Sequence, residues 1–343
     1  MIMARNGEMP SRSPDGDRAL LRGRLKLMLF VGVVVLLGLI CPFPFGGRLW
    51  SRVFDLAHAP VFFFMVLAVA GFVDPGSVGL SQQYGRLRAV RTGEVILISG
   101  GCFLVGCLGE FLQAFSGRSP SAGDLIANGA GVASGSMWLV SRQVIGRRRV
   151  WSVVAVCGLL AGAMIGPVFG IWGAIQQQID FPMLASFERS SDLGAWNGQN
   201  ATIGRTADWA SAGQYSLQVD LSPGRFSGAN LIWPVRDWSG YDRLRWDIHN
   251  PATTAISVTV KIYDVPHLFQ GYQPADRFHV TVEIPPASVY EVSIDLTEVA
   301  TAPETRAMDM KQITAVELVV EDLPTSRILH LDNMRLVGDP VSE

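Results

Sequence analysis

Charge is scarce in this sequence: only 17% of its 343 residues are Asp, Glu, Lys or Arg, against roughly 25% in soluble proteins. With 49% of residues hydrophobic, that scarcity argues against a chain solvated along its whole length. Cysteine is equally sparse. Cys41, Cys102, Cys107 and Cys157 all lie in or beside apolar stretches, so neither a disulfide framework nor a cysteine-built zinc site is expected. The net charge of −2 leaves no basic surplus, and nothing points to nucleic acid. A Ser-His-Asp order and a His-Glu-x-x-His helix are both missing.

What is present divides in two. Up to Asp180 there are 16 Lys or Arg and 9 Asp or Glu, whereas the remainder holds 12 and 21. A basic, apolar half therefore precedes an acidic, polar one, as expected of a membrane part joined to a solvated part. The length also exceeds that of a usual single domain.

In the first half, residues 27–41 form an apolar run behind a basic leader, residues 1–26, carrying Arg18, Arg22, Arg24 and Lys26. No small-x-small cleavage site follows, so this reads as a retained signal anchor. Four further stretches read as spans: Leu56 to Val73, Glu94 to Phe111, Ala122 to Val140 and Trp151 to Ala174. Each is long enough at about 1.5 Å per residue for a hydrocarbon core of about 30 Å. The stretch from Ala122 is rich in Gly, Ala and Ser and opens with Asp124 and Asn128, which suits packing against other helices. Basic residues gather on alternate loops: Arg86, Arg88 and Arg91, then Arg142, Arg147, Arg148 and Arg149. The basic-inside rule then sets the N-terminus in the cytoplasm, and five crossings deliver the C-terminal half outside.

Polar residues within the spans fall into pairs. Asp55 with His58, Glu110 with Gln113, and Asp124 with Asn128 are each spaced to share a helical face. Under that topology all three pairs lie at the outer membrane boundary, beside Arg118 in the intervening loop. The pieces Asp55-Leu-Ala-His58, Gly109-Glu110-Phe-Leu-Gln113 and Arg118-Ser-Pro-Ser121-Ala-Gly-Asp124-Leu-Ile-Ala-Asn128-Gly129 together resemble the VanZ-like family of membrane proteins, over residues 25–142. The sequence departs from that family at Ala59-Pro60, where an aromatic is usual and Phe62-Phe63-Phe64 follows instead. The resemblance implies a cell-envelope setting and an association with glycopeptide (teicoplanin) resistance, and no settled activity. Three readings of the cluster stand open: interfacial or structural polar links, a site for an envelope lipid or sugar headgroup, and general acid/base chemistry on a lipid-linked substrate.

From Phe181 the period changes to alternation. Tyr215-Leu217-Val219-Leu221, Leu244-Trp246-Ile248, Val258-Val260-Ile262, Phe278-Val280-Val282-Ile284, Val292-Ile294-Leu296 and Val316-Leu318-Val320 each present one apolar face, as half-buried strands do. Turn clusters such as Ser222-Pro223-Gly224 and Asn250-Pro251 separate them, which predicts an antiparallel sandwich. The expected fold is a multidomain membrane protein: a five-helix transmembrane bundle, with residues 27–142 its VanZ-like part and 151–174 its fifth helix, a linker at 175–183, then an all-β jelly roll at 184–337.

Pyranose rings stack on exposed aromatic platforms flanked by hydrogen-bonding groups. Trp196, Trp209, Trp233, Tyr263, His267 and Tyr272 sit in or near loops and are the glycan-binding candidates, with filling of the sandwich the competing role; Trp246 alternates with core residues and is expected to be buried. The pieces Ser186-Phe187-Glu188, Ser211 to Leu217, Asp237 to Leu244 and Leu331-Asp332-Asn333-Met334-Arg335-Leu336 resemble the galactose-binding-like jelly rolls of carbohydrate-binding modules. That resemblance implies sugar binding and a structural calcium held by Glu188 and Asp332. The expected function is a membrane protein of the cell envelope binding a glycan or lipid-linked saccharide, not as an enzyme. A membrane hydrolase or transferase using the rim cluster, and a teicoplanin-resistance protein, are the alternatives.

Overall fold

The computed structural model describes residues 47–73, 91–113 and 121–338. The expected signal anchor at 27–41 and Arg118 lie outside them. The described chain forms two compact units: 54–166, and 47–53 with 167–338.

The helical unit holds α1 (Arg48–Val73, from Phe54 onward), α2 (Thr92–Gln113), α3 (Ala122–Ser141) and the first part of α4 (Arg147–Asp180). Three described helices, α1, α2 and α4, are long and apolar enough to cross a membrane. Outward-facing Phe64, Leu97, Leu104 and Phe111 leave α1 and α2 the apolar exterior that lipid would cover. The stretch at 122–140, expected as a span, is not among the three. Its Gly, Ser and Asn residues lower its hydrophobicity, and Asn128, Gly131, Ser134 and Gly135 are buried. A Cβ on Gly131 would stand 2.3 Å from the Ala59 carbonyl oxygen and one on Gly135 2.8 Å from the Val66 Cβ, so glycine permits α3 to lie against the α1 backbone. Phe62, Val66, Ile98, Cys102, Val132 and Leu139 fill the space between α1, α2 and α3. A five-helix bundle is therefore not what the described residues amount to.

The segment 175–183, expected as a linker, is helical to Asp180 and enters β1 (Met183–Ala185) directly after two residues. The second unit is a two-sheet antiparallel sandwich. One sheet runs β3 (Ala201–Thr206), β4 (Ser216–Leu221), β11 (Arg327–Val337), β6 (Arg243–Asn250), β9 (Ser288–Asp295), with β1 also on β11. The other runs β2 (Trp196–Gln199), β5 (Gly224–Ile232), β10 (Ile313–Leu323), β7 (Ile256–Asp264), β8 (Phe278–Ile284). The alternation read from sequence becomes the core: Leu217, Val219, Leu221, Leu244, Trp246, Ile248, Val258, Val260 and Ile262 are all buried. Trp246 is fully buried, as expected.

β5 carries no strong alternation, because Gly224, Ser227, Gly228 and Ala229 interrupt it. Gly228 must be small: a Cβ there would lie 1.9 Å from the Leu318 carbonyl oxygen of the paired strand β10.

Candidate functional site

Period-2 alternation that buries Leu217 and Val219 of β4, Ile248 of β6, and Leu329 and Leu331 of β11 turns their neighbours outward. Gln218 pairs with His330 and His330 with His249 across β4, β11 and β6. Three distant segments thus set one row on one sheet face. Over it lies Trp209, whose ring stacks on His249 at 5.0 Å and 21° and meets His330 at 6.0 Å, while the two imidazoles stack at 5.4 Å. Burial pushes both imidazoles below the usual histidine range, with His249 adding to the effect on His330. The stack is therefore neutral at neutral pH and presents no charge to a ligand.

Polar groups surround it. Gln218 donates to Asp220 Oδ1 at 2.8 Å, and Asp247 accepts from the Ser211 hydroxyl at 2.5 Å. Beside Asp220, which pairs with both Thr202 and Ile328, an open groove of about 510 Å³ is lined by Thr202, Asp220, Ser222, Arg327 and Ile328. That volume falls within the ~300–1,000 Å³ typical of ligand sites. Groove and ring stack are two residues apart along β4 and β11, about 7 Å.

Trp209 sits on a loop, and two carboxylates hold the far side of that loop. Asp332 Oδ2 accepts the backbone N–H groups of Ser211 at 2.8 Å and Ala212 at 3.0 Å. Glu188 Oε1 accepts those of Gln214 at 2.8 Å and Tyr215 at 2.9 Å. Gly213 is needed between them: it has φ +69°, and a Cβ would strike Glu188 Oε1 at 2.4 Å. The Tyr215 and Gln214 N–H groups hold the Glu188 carboxyl below the usual carboxylate range. Burial pushes the Asp332 carboxyl up, against the opposing pull of its N–H partners. The pair expected to hold calcium thus accepts backbone donors from the loop that presents Trp209. The Ser216 hydroxyl completes the support, donating to the Trp209 carbonyl at 2.5 Å.

The other aromatic candidates are placed differently. Trp196 is buried in the sandwich core against Phe187, with no ring face to offer a sugar. Tyr263, His267 and Tyr272 come together at 4.8 to 6.4 Å, on the other sheet's side. Of these His267 is fully buried beside Asp276, Tyr263 is buried with its hydroxyl donating to Glu317 at 2.8 Å, and Tyr272 is exposed. Trp233 is half-buried with the Arg236 guanidinium 5.0 Å from its ring. His249 and His330 escaped the sequence reading because each stands in a strand, next to core residues; only register shows that they share a face.

In the helical unit one member of each polar pair meets the others. One imidazole nitrogen of His58, one carboxylate oxygen of Glu110 and one of Asp124 lie within 4.8 Å of one another. His58 Nδ1 meets Asn128 Oδ1 at 2.8 Å, and Glu110 Oε2 accepts the Ser121 N–H at 3.1 Å. Ser121 is itself the N-cap of α3, its hydroxyl accepting from Gly123 and Asp124. Gln113 is buried at the end of α2, and Asp55 is half-buried one turn before His58.

No family model matches the chain, the VanZ-like family expected of residues 25–142 included, and no curated protein matches it. Among solved structures it is similar to a family 11 carbohydrate-binding module from Clostridium thermocellum in complex with a β-1,3-1,4-mixed-linked tetrasaccharide, at 16% identity and TM-score 0.36, over 46% of this chain and 95% of that one. It is similar to the xylan-binding domain from CBM 22 at 13% identity and TM-score 0.33, over 48% and 99%. An exo-β-agarase matches at 15% identity and TM-score 0.36, over 46% of this chain and 25% of that one. The sandwich is defined by its own strand pairing.

Proposed function

We propose that the protein is a membrane-anchored glycan-binding protein whose sandwich holds a saccharide across the outward face of the β3-β4-β11-β6-β9 sheet. The observation that carries this reading is the Trp209-His249-His330 stack beside Gln218, Asp220 and Asp247. A sugar ring asks for an apolar plane against its C–H face and planar polar groups at its hydroxyls, and that face supplies both. The apolar helices α1, α2 and α4 support anchorage in a membrane. The asymmetry of basic residues supports a cytoplasmic N-terminus with the sandwich outside, where a saccharide of the cell envelope, lipid-linked forms included, is within its reach.

A second reading, a hydrolase or transferase acting on such an intermediate, is favoured by the convergence of His58, Glu110 and Asp124. The first reading is tested with residues 181–343, whose core is drawn from Leu184 to Leu336 alone, against a panel of soluble and envelope polysaccharides. Binding is expected to fall at least about tenfold in Trp209→Ala, which corresponds to about 1.4 kcal/mol, and to be unchanged in Tyr272→Ala. Absence of binding to every polysaccharide, or an unaffected Trp209→Ala, overturns it.

A further inference from the structure

We propose that His58, Glu110 and Asp124 bind one divalent transition-metal ion, of the zinc or manganese class, tying α1, α2 and α3 together. The inference does not rest on glycan binding by the sandwich.

Glu110 is 7% exposed, and its Oε1 has no hydrogen-bond partner among the described residues, although Oε2 is held by Ser121. An anionic oxygen left bare between apolar helices is costly unless a cation or proton meets it. The Glu110 carboxylate has ligand types for company, one of its oxygens lying near a His58 ring nitrogen and an Asp124 carboxylate oxygen. Asn128 Oδ1 accepts at 2.8 Å, which places a proton on His58 Nδ1; in the neutral imidazole Nε2 then carries the lone pair that a metal would take. That is the outer-sphere support metal-bound histidines ordinarily have. Asn128 is fully buried, and its own Nδ2 also lacks a partner among the described residues.

The donor set selects the ion. One imidazole with two carboxylates suits zinc, manganese or ferrous iron; calcium and magnesium prefer oxygen alone, and cuprous copper wants sulfur. With bonds of about 2.0–2.2 Å at tetrahedral angles, ligands of one ion stand about 3.3–3.6 Å apart. The three donors lie within 4.8 Å of one another, so a bound ion draws the widest pair together by about 1 Å or more, a shift of side-chain rotamers. Three protein ligands leave positions open for water or an anionic group.

The test uses the full-length protein in detergent, stripped with a chelator and titrated with Zn2+ by calorimetry, with Co2+ absorption as a second readout. Wild type is expected to bind one equivalent that Glu110→Gln and Asp124→Asn lose, and Asn128→Ala to bind about 10- to 100-fold more weakly. Both carboxylate substitutions keep side-chain shape, so circular dichroism should match wild type; if one fails to fold, the other decides. Zn2+ should also raise the melting temperature of wild type and not of either variant. Equal Zn2+ binding by wild type and the folded carboxylate variants, or none by wild type, overturns the proposal.

Discussion

Replacing Arg306 by Met separates a structural cluster from a ligand site. The Arg306 guanidinium meets Asp276 at 2.6 and 2.8 Å and Asp264 at 2.5 and 2.7 Å, while Asp264 is fully buried and Asp276 is 6% exposed. Asp264 also accepts the Asp309 N–H at 2.7 Å, and Asp276 bonds to His267, so one cation fastens the segment that carries Tyr263, His267 and Tyr272. Removing one partner of a buried ion pair costs about 3–5 kcal/mol. Arg306 itself is 20% exposed, which points to the lower figure. At about 2–4 °C per kcal/mol for a domain of this size, residues 181–343 should melt about 6–12 °C lower. Arg306 holds the Asp276 carboxyl below the usual carboxylate range. In wild type its contribution is therefore full above the unfolded pKa of about 3.9 and is lost as pH falls through the lower folded value. In the variant the uncompensated Asp276 carboxylate protonates more readily, so the gap from wild type should narrow from about pH 7 to about pH 4. Near-ultraviolet circular dichroism melts at several pH values measure this. A loss under about 2 °C, or a gap widening on acidification, refutes the reasoning.

Gly131→Ala sets a methyl against the Ala59 carbonyl and should destabilise the helical unit by about 1–3 kcal/mol or more, while Gly100→Ala, with nothing within 4 Å, should not; melts in detergent compare the two. Asp332→Ala strips partners from the Ser211 and Ala212 N–H groups and should cost about 1–3 kcal/mol, with glycan affinity falling because the Trp209 loop loosens. Melts of wild type with and without chelator test calcium at Glu188 and Asp332: a drop of several degrees retains the ion, and no change removes it. Protease added to intact spheroplasts should cut the C-terminal half; resistance until lysis would reverse the proposed orientation.

Several features are legible in the sequence alone. Alternation at 217–221, 244–248 and 258–262 implied half-buried strands, because a strand that buries one face must repeat every second residue. Apolar length implied the helices, and i, i+3 and i, i+4 spacing put His58, Glu110, Asp124 and Asn128 on particular faces of theirs. Composition also hinted that 122–140 packs against neighbours; Gly131 and Gly135 supply the reason. Strands built on small residues, such as 224–232, left no periodic signal.

Only the tertiary structure decided which aromatics remain at a surface. Trp196, Tyr263 and His267 looked like Trp209 in sequence, yet the first packs in the core and the other two are buried beside an ion-pair network. His249 and His330 gained their place from strand register, and Glu188 and Asp332 gained theirs from the loop that carries Trp209. A local pattern fixes which way a side chain points along its own element. Which distant residue stands opposite it depends on pairing across long sequence separations, and that pairing is settled when the whole core is buried at once.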